Sequence, residues 1–198
     1  YVLLLAAYQL LLHRYTGQPE IIVGSPTYGR DQAEFSDVVG DFINMIPLRA
    51  RIAGDLDFRE FLAQTRQTVL EGIQHQDYPF PRLVEKLQPV RDPSRSPVFQ
   101  TLFVLQKFKQ LKGFEGFFAG ADSAGRLDWC GLVIEPFSIT QQEGQFELSL
   151  ELVEHDGAFR GDLKYNTDLY NAATVERLGR HYVTLLRSIC ASPDTKVS

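Results

Sequence analysis

Few groups in this sequence could do chemistry. Its four histidines are His13, His75, His155 and His181, and its two cysteines are Cys130 and Cys190. Reactive side chains are densest from His75-Gln76-Asp77 to Arg91-Asp92-Pro93-Ser94-Arg95. His75 beside Asp77 has the composition of an oriented general base, which needs a substrate proton within about 3 Å. The same histidine closes a long helical pattern, where the helix dipole favours imidazolium without any catalysis. Capping or packing is the better-supported role. Asp77, Arg91, Asp92 and Arg95 form a charge cluster around one turn, and a guanidinium fork matches carboxylates bidentately. We expect an ion-pair knot in which Arg91 or Arg95 hydrogen-bonds Asp77 or nearby carbonyls. Ser94 lacks the Gly-x-Ser-x-Gly setting of a nucleophile. His13 and His181 fall inside helical patterns. His155 precedes Asp156-Gly157, the strongest hairpin signal in the chain. No metal-ligand or redox spacing occurs, and Gly113, Gly116 and Gly120 match no phosphate-binding loop.

The elements that position these groups follow from periodicity. Leu3, Leu4, Ala7, Leu10 and Leu11 keep helical spacing up to Gly17. Glu20–Gly24 reads as a buried strand ending near Ser25-Pro26. Ile43–Ile52 reads as extended, and Pro47 places it at an edge or bulge. Asp57 and Glu60 have capping-box spacing. The stripe Phe58, Phe61, Leu62, Thr65, Val69 and Ile73 then carries a helix to about His75. Pro79 stops it, and Pro81 suits the first turn of a short helix with Leu83, Val84 and Leu87 on its apolar face. Phe99–Gln106 is a strand. The Phe/Gly-rich stretch from Lys107 to Arg126 is a long loop. Leu132–Phe137 is a further strand, followed by a polar connection, residues 138–145. Phe146–Val153 alternates as a strand with one wet face, and Phe159–Tyr165 is its hairpin partner. Asn171 can cap a last helix with the stripe Val175, Leu178, Tyr182, Leu185 and Ile189. The result is an α/β (α+β) sandwich, a mixed sheet with helices packed against it.

Composition narrows the function classes. The chain has 198 residues, 44% hydrophobic and 23% charged, with a net charge of −5. That charge argues against a nucleic-acid platform. No apolar run reaches the roughly 20 residues that span a bilayer, so no membrane role is expected. The cysteine usage fits a reducing cytoplasm. The single methionine is Met45, and Tyr1 already lies in a helical pattern. The chain therefore reads as a piece of something longer, with a lobe over 1–190 and the start of a linker over 191–198.

Several stretches, in order, carry a resemblance. His75-Gln76-Asp77-Tyr78-Pro79-Phe80 and Arg91-Asp92-Pro93-Ser94-Arg95-Ser96-Pro97 resemble the HQD-x-PF-E and RD-x-SR-x-PL motifs of nonribosomal peptide synthetase condensation domains. Ile22-Val23-Gly24-Ser25-Pro26 with Arg30 is similar to the family's VG-x-P…R segment. Val39 to Arg49 is similar to G-x-F-V-N-T-L-x-L-R, and Tyr165 to Tyr170 to Y-N-T-D-L-F. Asp41 stands where an aromatic is usual, Met45 where threonine is usual, and Pro81 where glutamate follows the PF pair.

The resemblance implies a chloramphenicol-acetyltransferase-like lobe. Two such lobes enclose a tunnel in the family, where a carrier-bound aminoacyl amine attacks a carrier-bound acyl or peptidyl thioester. The catalytic HH-x-x-x-DG sequence belongs to the first lobe and is absent here, so the isolated chain is expected to be inactive. The implied partners are the first lobe, upstream and downstream carrier proteins with their phosphopantetheine arms, and an adjacent adenylation domain. No cofactor is expected on the chain itself. The resemblance places Asn44, Gln76, Asp77, Ser138, Gln141 and Gln142 toward the tunnel. Arg30, His75, Pro79, Phe80, Arg91, Asp92, Ser94 and Arg95 are structural motif positions. Residues 138–145 are expected to reach away from the lobe toward its partner. Two alternatives are an epimerisation domain and a lobe kept only to dock a carrier protein.

Overall fold

The computed structural model describes residues 1–30, 33–35, 37–52, 54–90, 92–106, 126–135, 137, 144–155 and 157–197. Helix α1 (Val2–Thr16) leads into strands β1 (Glu20–Thr27) and β2 (Asn44–Arg51). Helices α2 (Phe58–Gln74) and α3 (Phe80–Leu87) precede β3 (Thr101–Gln106), β4 (Leu127–Trp129) and β5 (Leu132–Ile134). Strands β6 (Leu148–His155) and β7 (Ala158–Tyr165) and helix α4 (Ala172–Ala191) follow.

Five strands form one mixed sheet in the order β2-β1-β3-β6-β7. The outer pairs are antiparallel, and β3 runs parallel to both β1 and β6. Helix α1 crosses the sheet between α2 and α4. Every residue from Leu4 to Leu11 is buried, because neighbours cover it on several sides. Its Gly17 takes φ 68 and closes the helix in the left-handed region. Tyr8 lies against Phe103 beneath the sheet and shares a 2.6 Å hydrogen bond with Thr101. The predicted α4 stripe is buried at all five positions. Pro47 falls on β2, at an edge of the sheet, where a missing N–H is tolerated.

Helix α2 begins with the expected capping box, Asp57 and Glu60 each bonding the other's backbone N–H. Ile73, placed on its apolar stripe, is instead exposed. Helix α3 buries none of its residues, and Leu87 is exposed. Its apolar face is only partly covered: Phe80, Leu83 and Val84 are half-buried. Asn171 is the N-cap residue of α4, but its side chain makes no cap hydrogen bond.

The expected loop after β3 lies, at residues 107–125, outside the described residues, and residues 127–134 differ most from the sequence reading. The expected strand Leu132–Phe137 is only Leu132–Ile134, and it pairs with the unforeseen β4 in a separate two-stranded sheet. Cys130 and Gly131 join them at φ 54 and 80, the signature of a tight hairpin turn. β6 starts at Leu148 rather than Phe146. Its expected wet face is partly covered: Ser149 and Val153 are buried and Glu151 is half-buried, because β6 is an interior strand. Gly157 at φ 73 turns the β6–β7 hairpin, whose register closes at His155 and Ala158. Residues 192–197, polar and linker-like in composition, dock on the start of α2. Phe58 N–H donates to Thr195 and Val197 N–H to Leu56, and Val197 is buried.

Candidate functional site

The HQD segment is a turn between two helices, and one side chain clamps it. Asn44 is the first residue of β2 and shares the helical face with Ile46 and Leu48. Its Nδ2 donates to the carbonyls of Gln76 (2.7 Å) and Tyr78 (2.8 Å). Its Oδ1 accepts from Phe80 N–H at 3.0 Å. Phe80 N–H is one of the unpaired donors at the start of α3, and Pro79, the N-cap, has no side-chain acceptor to offer. Asn44 supplies that cap from across the fold. Both amide donors are thereby committed to backbone, which gives Asn44 a structural role at this junction. Gln76 is half-buried in the same turn, and Asp77 is exposed. His75 is the exposed C-cap of α2.

The second motif turn closes on itself. Asp92 Oδ1 accepts from Ser94 N–H (3.0 Å) and Ser94 Oγ–H (2.6 Å). These bonds, the hydroxyl's first, hold the Asp92 carboxyl below its ordinary range. Arg95 does not reach Asp77. Its Nε donates to Glu147 Oε1 at 2.8 Å, and Glu147 in turn raises the guanidinium pKa. The reason is strand order: Glu147 immediately precedes β6, which lies beside β3 and the end of this motif, and Glu147 N–H donates to Gln100 O. The charge pair therefore ties the turn to a distant strand, not to the helix junction. Arg91 lies outside the described residues.

An aromatic stack joins the two turns. Phe80 from α3 lies 5.2 Å from Phe99, and Phe99 lies 5.5 Å from Phe146. Phe99 is buried over Gly24 of β1; a Cβ there would stand 2.0 Å from its ring. Val98 takes φ 71, and Phe99 N–H donates back to Pro97 O, a γ-turn that is costly for a β-branched residue. The turn aims Phe99 at the sheet.

Beyond the stack, on the sheet face opposite the helices, lies a cleft of about 910 Å³. Met45, Leu102, Phe146, Ser149, Glu151 and Lys164 are among its lining residues. Lys164 Nζ and Glu151 Oε1 pair at 2.8 Å across its floor. Neither these two nor Glu147 was singled out in the sequence. The alternation in β6 and the two-residue β6–β7 turn were the signal, since together they make Glu151 and Lys164 diagonal neighbours. Ser138, Gln141 and Gln142, and most of the segment expected to cross to a partner, lie outside the described residues.

The remaining candidates have local roles. Arg30 donates to the carbonyls of Phe35, Val38 and Gly40 and stacks on Phe42, organising the β1–β2 loop. His13 bonds the Gln18 carbonyl and His181 bonds Tyr15. Both cysteines are free and exposed. Among the described residues no cluster could hold a metal ion, and no helix is long and apolar enough to cross a membrane.

This architecture is that of nonribosomal peptide synthetase condensation-domain structures, the chloramphenicol-acetyltransferase-like fold. The condensation-domain family model matches residues 1–198, and the chain belongs to that family. It is similar to tyrocidine synthase 3 of Brevibacillus parabrevis, at 40% identity over 198 residues, all of this chain. It spans only 3% of that relative's length. A crystal structure of a four-domain nonribosomal peptide synthetase bound to AMP and glycine aligns over 99% of this chain and 15% of its own, with TM-score 0.93 and 28% identity. The condensation domain of the monacolin K polyketide synthase shares the fold, with TM-score 0.77 and 23% identity over all of this chain and 42% of its own.

Proposed function

We propose that this chain is the second lobe of a condensation domain, whose parent joins a carrier-bound acyl or peptidyl thioester to a carrier-bound amino acid through an amide bond. The observation that carries the reading is a proportion: the chain aligns end to end with a solved condensation domain yet fills 42% of it. A sheet with helices on one face and an open cleft on the other is what one half of a two-lobe enclosure requires. The cleft's volume is in the range of small-molecule sites. None of its lining residues among those described is a histidine. In this reading the base comes from the first lobe, and the chain alone forms no amide bonds.

In this reading the phosphopantetheine arms arrive as substrates on upstream and downstream carrier proteins, and an adenylation domain is a neighbour. The lobe runs over residues 1–190. Residues 191–198 begin the path to that neighbour, held at first against α2. The free cysteines support a cytoplasmic parent.

The test mixes the chain with donor- and acceptor-loaded carrier proteins, with and without a first lobe carrying HH-x-x-x-DG. Mass spectrometry reads the amide. The expected result is product only when both lobes are present. Product from the chain alone would overturn the division of labour, and none from the pair would overturn the lobe assignment.

A further inference from the structure

Helices α1 and α4 leave a groove of about 550 Å³ between them on the helical layer. Arg14 and Tyr15 line it from α1, and Arg177 and His181 from α4. Its floor is apolar, formed by the buried Leu11 and Leu185. Among the described residues no carboxylate lines it, although Asp and Glu outnumber Lys and Arg by 25 to 20 in the sequence. Glu176, next to Arg177 on α4, is turned to Arg180 at 3.9 Å.

The guanidinium groups here differ from most others in the chain. Arg49, Arg51, Arg59, Arg82, Arg95 and Arg180 each face a carboxylate. Arg14 and Arg177 have no ion-pair partner among the described residues. His181 adds a further polar group, fixed by its 2.9 Å bond to the Tyr15 hydroxyl. Two unneutralised guanidiniums thus flank an apolar floor along the seam between two helices.

We propose that this groove binds an acidic peptide segment that carries an apolar side chain between its carboxylates. Guanidinium forks match carboxylates bidentately, and complementary charge sets register as well as attraction. An apolar residue between the acids covers Leu11 and Leu185. An inorganic anion would satisfy the arginines and make no use of the groove's apolar lining. The groove lies on the helical layer, apart from the cleft on the opposite sheet face, so a segment seated here leaves the cleft free.

The test uses the isotope-labelled chain and an end-blocked Glu-Leu-Glu-Glu-Leu-Glu peptide, with a Gln-for-Glu counterpart, at low salt. Nuclear magnetic resonance should show shifts confined to the α1–α4 seam for the acidic peptide and none for the neutral one. Arg177→Glu should weaken binding about five- to tenfold, as expected for reversing one exposed charge partner. Arg66→Glu changes the net charge equally, at an exposed α2 position outside the groove, and should leave binding unchanged. Equal weakening by both variants would reduce the effect to net charge and overturn the proposal. Shifts elsewhere, or none, would do the same. Inorganic phosphate that displaces the peptide at comparable concentration would make the groove a simple anion site and also overturn it. Arg177 is exposed, so the variant's thermal melt should match the parent's and exclude misfolding as the cause.

Discussion

The α2–α3 junction and the Asp92–Arg95 turn flank one aromatic stack, yet different forces hold them. At the junction, a half-buried neutral carboxamide bonds three backbone groups. At the turn, an ion pair reaches a distant strand, and the Arg95 side chain remains 54% exposed. Neutral bonds to fixed backbone hold geometry regardless of salt and pH. A pair whose cation is this exposed is partly screened by salt, although the Glu147 side chain is only 14% exposed. The comparison says that the junction is the rigid element and the turn the adjustable one, although both carry recognisable motifs.

Substitutions at four positions can break or sharpen this contrast. The largest effect is expected for Phe99→Ala, which empties the ring position shared by both regions. Loss of a buried phenylalanine costs about 3–5 kcal/mol, readable by urea unfolding. A loss near that of a surface substitution would show that the stack anchors nothing. Next is Asn44→Ala, which strands two carbonyls and the first N–H of α3. An expected cost of about 1–3 kcal/mol follows from leaving such groups without partners. Asn44→Asp should not restore stability, since a carboxylate has no donors for the carbonyls of Gln76 and Tyr78. Rescue by aspartate would mean that the clamp works otherwise.

Arg95→Ala should cost less than about 1 kcal/mol, and molar salt should shrink the difference further. A large, salt-independent loss would place the turn in the same class as the junction. The smallest effect belongs to Asp92. Its folded pKa lies below the ordinary aspartate value, so its contribution is present above about pH 4 and is lost as pH falls through the lower folded value. Melting temperatures of the parent and Asp92→Asn should therefore converge as pH is lowered from about 5 toward 2. A gap that widens on acidification would contradict the assigned bonds.

Much of this was legible in the sequence. The capping box at Asp57–Glu60, the closing role of Gly17 and the five-residue stripe of α4 are local patterns, written at helical spacing. Pro47 announced an edge strand because a missing N–H cannot sit inside a ladder. The order of motifs made the family legible as well. Other readings went astray where burial was assumed from pattern alone. Leu87 and Ile73 keep their helical spacing, but among the described residues both stay exposed. The β4–β5 hairpin was missed because Cys130 takes a positive φ that its residue type does not advertise.

Partners across the fold were the deeper gap. Arg91 or Arg95 was expected to meet Asp77 or carbonyls near it, and Arg95 instead meets Glu147, fifty-two positions on. Asn44, which the family resemblance places toward the tunnel, also caps a helix thirty-six positions away. The sequence by itself determined which segments become helices or strands and where most of them end, because backbone sterics and apolar periodicity act over a few residues. Only the tertiary structure decided which motif side chains meet. That depends on strand order: β3 lies between β1 and β6, and this placement brings Phe99 over Gly24 and Glu147 beside Arg95.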